Sequence, residues 1–184
     1  MPSLHHLPAG CQALHIAKVV NITIILIAAC AHSTLATACF SDENWAQLQS
    51  GSRATLVYVW SPRMVLSAHN AATALAAADA QGVQFAAVHD GRLAGQEIID
   101  ALAQLAQHPD PKARASAAAL QATQPLCSPL LVDRDALRHF PTAWVVQRSD
   151  GKVLPKNDKQ HYAIVGAMPD FAWDLSLRQR LHQP

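Results

Sequence analysis

The stretch Ala54–Trp60, ATLVYVW, is an unbroken apolar run rich in β-branched and aromatic side chains. A strand with one wet face alternates apolar and polar residues. A run without that alternation suits a strand buried on both faces. Such a strand lies inside a sheet and needs a covering layer on each side, which points to an α/β domain. Pro62 stops the run, and MVLSAHNAATALAAADAQG follows with high helix propensity and Gly82 as its C-terminal stop.

The remaining pattern fits that class. SDENWAQLQSG, before the strand, reads as a short capped helix ending at Gly51. VQFAAVHDG reads as a second strand. AGQEIIDALAQLAQ places Ile98, Leu102 and Leu105 on one helical stripe. HPDPKARA reads as a breaker with two prolines, and ASAAALQA as a weaker helix beyond it. SPLLVD is a short strand and RDALRHF one or two helical turns, ended by Pro141. TAWVVQRSDGKVLP reads as strand, turn at Ser149–Gly151 and strand; HYAIVG extends it or forms a strand of its own. Pro169 opens a last helix, DFAWDLSLRQRL. Early strands that alternate with helices should be parallel, and the final pair antiparallel.

Composition removes some function classes. The net charge is +1 and no Lys/Arg-rich run occurs, so the chain lacks the basic face that neutralises phosphates in a nucleic-acid binder. No Gly-x-Ser-x-Gly, His-Glu-x-x-His or Gly-rich phosphate loop is found. His89-Asp90-Gly91 is a strand end with a polar cap and a turn glycine.

The N-terminal segment reads as an export signal spanning residues 1–38. Lys18 precedes an apolar run from Val19 to Ala31, and Ala36–Ala38 (ATA) offers small residues for cleavage near Ala38. Two alternatives stay open. Ile27–Cys30 (IAAC) resembles a lipoprotein box that would lipidate Cys30, and the segment could persist as an anchor. Membrane association is expected only through this segment. Residues 39–50 form an N-terminal linker with the short helix. Cleavage would leave Cys39 and Cys127 in an oxidising compartment, where they pair if their geometry permits. The simpler expectation is that Cys127 is an ordinary buried apolar side chain.

Residues 51–184 resemble the thioredoxin-like superfamily, and in particular its exported thiol–disulfide oxidoreductase branch. VYVWSPRMVLS (Val57–Ser67) resembles the strand, Trp and helix start that hold the family's C-x-x-C. LRHFPTAWVVQRSDGKVL followed by IVG resembles its cis-proline, Thr, strand, Asp-Gly hairpin, last strand and Gly. The resemblance implies a three-layer sandwich with a mixed central sheet flanked by helices, and a cis bond before Pro141. It also implies a peptide-binding groove. Here that groove would be built from Trp60, Ser61, Met64, Ser67, Phe140, Pro141 and Thr142.

The departure lies in the sulfur chemistry. Depending on which family Trp matches Trp60, the two cysteine positions hold Ser61 and Met64, or Met64 and Ser67. Thiol–disulfide exchange needs a thiolate to attack and a second to resolve. Neither Ser nor Met supplies one. The expectation is therefore an exported, redox-inert binding module or accessory subunit of an envelope assembly, in the periplasm or cell envelope, whose partner is an exported protein or peptide. Two alternatives stand beside it. One is a copper site, which the resemblance suggests, using Met64, His69, His89 and His139. The other is an oxidoreductase acting through Cys127, alone or bonded to Cys39.

Overall fold

Every residue of β1 (Thr55–Trp60) is buried, and the rest of the domain is arranged around it. The computed structural model describes residues 39–127, 139–146 and 163–181, all within the unit Thr37–Pro184. On one side β1 pairs in parallel with β2 (Gln84–His89), Thr55 opposite Gln84 and Trp60 opposite His89. On the other it pairs antiparallel with β4 (Thr142–Val146), Val59 opposite Thr142. β3 (Gln124–Pro125) extends the sheet in parallel beyond β2. β5 (Ala163–Val165) extends it antiparallel beyond β4. The described strands thus form one mixed sheet, ordered β3-β2-β1-β4-β5.

The alternation of side chains along β1 divides the core into two halves. Leu56, Tyr58 and Trp60 point to one face, where they meet α3 (Ala71–Ala80), α4 (Gly95–Ala106), α5 (Pro111–Leu120) and α6 (Asp170–Leu181). Val57 and Val59 point to the other, against Trp144, Val146, Leu126, Phe40 and Trp45 of α1 (Asp42–Ser50). The sheet is therefore covered by helices on both faces, an architecture compatible with a three-layer sandwich. Among the described residues no helix is long and apolar enough to cross a membrane.

Three local readings of the sequence need correction. The single helix expected after Pro62 is two, α2 (Val65–His69) and α3, parted at Asn70. The break is held from a distance. The Ser116 hydroxyl donates to the His69 carbonyl at 2.7 Å and accepts from the Ala72 N–H at 3.1 Å, so the backbone groups freed there stay bonded. Asn70 also ties this point to the start of α6. Its Nδ2 donates to the Met168 carbonyl, and its Oδ1 accepts from Trp173 Nε1 at 2.7 Å. The second correction concerns the two-proline segment. It is not only a breaker, because Pro111 begins α5 and the Asp110 side chain caps it by accepting from the Lys112 N–H. Proline is tolerated there because the first helical N–H has no partner within the helix.

The third correction is Cys127. It is exposed rather than buried, and it is disulfide-bonded to Cys39 with a Cα–Cα distance of 5.8 Å across a separation of 88 residues. In the chain-entropy view a cross-link over so long a loop contributes roughly 4–5 kcal/mol. Phe40 beside it is buried, bridges Leu126 in parallel, and donates its N–H to the Pro125 carbonyl at 2.9 Å. The strand expected at Ser128–Asp133, most of the Arg134–Phe140 turn and the hairpin turn at Ser149–Gly151 lie outside the described residues.

Gly91 marks the tightest backbone approach in this region. A Cβ there would overlap the carbonyl oxygen of Leu126, whose N–H donates to the His89 carbonyl at 2.9 Å. Backbone cannot yield as a flexible side chain does. Gly91→Ala is expected to cost about 1–3 kcal/mol, as overpacking does in a tight site. A denaturant melt measures this, and an unchanged midpoint would show that the approach is not constraining.

Candidate functional site

β1 ends at the junction Ser61–Met64, from which α2 starts, and the beginning of β4 runs alongside it. Because Thr142 is opposite Val59, the register brings Pro141 beside the Trp60 end of β1. The Phe140–Pro141 peptide bond is cis. Its turn is clamped twice. The Thr142 hydroxyl donates to the His139 carbonyl at 2.6 Å, and the Gly166 N–H donates to the Pro141 carbonyl at 2.8 Å.

The junction is closed by one hydroxyl. Ser67 Oγ accepts the Ser61 N–H at 3.1 Å and lies 2.8 Å from the Ser61 carbonyl and 2.7 Å from the Met64 carbonyl, so its single proton serves either acceptor. Tyr58 supports the clamp from the core by donating its hydroxyl to the Ser67 carbonyl at 2.5 Å. Burial pushes the Tyr58 pKa up, so the phenol keeps the proton that it donates. Ser61 and Ser67 are both buried. At two of the positions where the resemblance implies cysteines, the side chains are therefore turned away from solvent, and that of Ser67 holds the loop through the Ser61 backbone.

Trp60 is also inward. It is fully buried, and its Nε1 donates to Thr123 Oγ1 at 2.9 Å. The same hydroxyl lies 3.3 Å from His89 Nδ1, and the Trp60 and His89 rings meet edge to face with centroids 6.5 Å apart. Trp60 is thus core, not groove wall. Pro141 and Thr142 are buried as well, and Phe140 is half-buried. What the junction offers to solvent is a run of which the sequence reading singled out only Met64. Met64, Val65 and Leu66 are 46 %, 63 % and 71 % exposed. A five-residue helix cannot turn all of these toward the core. Adjacent large apolar side chains left in water are uncommon unless they meet a partner.

Ion pairs flank this patch. Arg92 holds Asp90 with two contacts, Nε to Oδ1 at 2.7 Å and Nη2 to Oδ2 at 2.8 Å. Arg63 holds Glu97 at 3.1 and 3.2 Å. The Asp90 N–H donates to the Trp60 carbonyl at 2.9 Å, which fixes this charge at the end of β1. Burial alone would raise the Asp90 pKa. The hydrogen bonds and charge of Arg92, with the charge of Arg63, outweigh it and hold the carboxyl below its ordinary range. Burial lowers the His89 pKa against the opposing pull of Asp90, favouring the neutral ring. The two arginines are balanced by two carboxylates, so these pairs add no net charge at the patch.

The chain matches no protein-family model, no curated protein and no solved structure.

The residues suggested for copper are not gathered. His69 packs edge to face on His108, centroids 5.1 Å apart. His108 spends its Nδ1 lone pair on the Asp110 N–H at 3.1 Å. His89 is inside, against Trp60, and His139 is exposed. Among the described residues no group of three or more His, Cys, Asp or Glu side chains forms. The disulfide sits beyond β3, two strands from β1. Thr123, Ser116 and Asn70 all act at or behind the site, and none carried a sequence signal, because each works through a contact distant in the chain.

The Ser67 clamp can be tested. Ser67→Ala would leave the Ser61 N–H buried without its acceptor, at a cost of about 1–3 kcal/mol. Chemical denaturation is expected to show that loss, and a change below about 0.5 kcal/mol, the range of neutral surface substitutions, would contradict the clamp.

Proposed function

We propose that this chain is an exported thioredoxin-like recognition module of the periplasm or cell envelope. In this reading the scaffold of a thiol–disulfide catalyst is kept for binding an exported protein or peptide. The observation that carries it is the pairing of an exposed Met64–Val65–Leu66 run with the Phe140–Pro141 turn beside a junction whose serines are buried, Ser67 holding the loop through its hydroxyl. Where an exchanging pair of thiolates would be needed, the chain offers hydroxyls and a thioether.

Two further observations support it. Both described cysteines are joined to each other, so neither is a free nucleophile, and a disulfide is in keeping with an oxidising compartment. The surface is apolar with balanced charges at its edge, which suits an extended segment with apolar side chains. Backbone pairing next to the cis-proline turn would give affinity, and the exposed side chains would give selectivity. An accessory role in an envelope assembly uses the same surface.

The test is a screen of short peptides against the protein, with the best binder then titrated against variants. Met64→Asp and Val65→Asp alter exposed residues and should leave the unfolding free energy within about 0.5 kcal/mol of the parent. They should weaken the peptide at least about tenfold, as loss of a central contact does. A peptide that binds both variants as well as the parent, or a screen without any binder, contradicts the proposal.

A further inference from the structure

A second surface lies on the helical layer. α3, α5 and α6 border a cleft of about 490 Å³, with Ala76, Ala80 and Ala115 among its walls and Phe171 at its rim. Phe171 is 74 % exposed, and Leu175, one turn further along α6, is also largely exposed. A neighbouring cleft shares Thr73, Lys112, Asp170 and Phe171 with the first. One face therefore carries a projecting ring and, next to it, a recess lined by methyl groups. Apolar surface of this kind marks a contact site.

The charges on the face limit what could cover it. Lys112 on α5 and Asp170 on α6 line both clefts. Both are exposed, and neither forms an ion pair with a described residue. A partner surface of one sign would satisfy one of them and repel the other. Asp174, also in the first cleft, is paired with Arg178, and Asp110, in the second, caps α5. A surface that carries one unpaired cation and one unpaired anion, a ring and a recess satisfies the remaining features together. The same face of a second copy is such a surface, because an interface about a two-fold axis sets each patch against itself, residue i on residue j and j on i.

We infer that the chain pairs with a second copy through this face about a two-fold axis. Phe171 of each copy seats in the Ala76–Ala115 recess of the other, and Lys112 of each copy meets Asp170 of the other. The two surfaces adjoin, since Leu66 of the recognition run also lines the neighbouring cleft. The pairing is tested through Phe171, Lys112 and Asp170 and the recognition proposal through Met64 and Val65, so either can fail alone.

Sedimentation velocity on the full chain, recovered in the form the host delivers, reads the association directly. The parent is expected to move from one-copy to two-copy mass as concentration rises. Phe171→Asp, at an exposed position, should stay at one-copy mass with an unchanged thermal midpoint. Lys112→Asp should weaken association about tenfold, since two exposed pairs are lost per dimer. The swap Lys112→Asp with Asp170→Lys should restore it, because the pair is then reversed but still opposite in sign. One-copy mass up to the solubility limit, an assembly larger than two, a dimer indifferent to Phe171→Asp, or a swap that fails to restore would each overturn the inference.

Discussion

The whole arrangement depends on the burial of β1 on both of its faces. Leu56, Tyr58 and Trp60 enter one half of the core, and Val57 and Val59 the other. At roughly 1.5–3 kcal/mol for each large apolar side chain fully buried, this one strand contributes more than any surface feature of the domain. It also fixes where chemistry could occur. Its end carries the Ser61–Met64 junction, its parallel neighbour delivers Asp90, and its antiparallel neighbour delivers the cis turn at Pro141. In open α/β sheets, ligands gather beyond the carboxyl ends of the parallel strands, and this is such an end.

What stands at that end is a structural hydroxyl, at a position where the proposed thioredoxin-like reading implies a cysteine. Ser67 spends its oxygen on the backbone of its own loop, and Tyr58 on the carbonyl of Ser67. A buried polar group must be bonded or it destabilises, and these groups satisfy one another. The loop is thereby held in one shape by hydroxyls of the chain itself. Rigidity of this kind favours recognition, since a surface already held in shape loses less entropy on binding. The Cys39–Cys127 bond acts elsewhere, pinning the chain at Phe40 to β3.

The sequence displayed some of this plainly and hid the rest for physical reasons. β1 was legible because a non-alternating apolar run has few other uses. The parallel early strands and the antiparallel final pair followed from the spacing of helices and turns. The break at Asn70 was not legible. An alanine-rich stretch scores as one helix, and the group that supports the break, Ser116, lies 47 residues from His69. β3 was missed because Gln124 and Pro125 have no strand propensity; their pairing is imposed by β2 on one side and by Phe40 beside Leu126. Trp60 was read as groove on the resemblance alone, and the contacts that bury it, with Thr123 and His89, are distant in the chain. Val65 and Leu66 were read only as part of one long helix, because nothing local reveals that α2 stops after five residues. The disulfide was allowed by composition, yet only the fold brings Cys39 and Cys127 within bonding distance.

The central claim is that this end of the sheet exchanges no sulfur. It is tested most directly by reduction of insulin in dithiothreitol, followed by turbidity, with the purified protein. Dithiothreitol alone and dithiothreitol with the protein should give the same rate. A clear acceleration by the protein would contradict the claim, and its loss in Cys127→Ser would show that the Cys39–Cys127 bond is a working one.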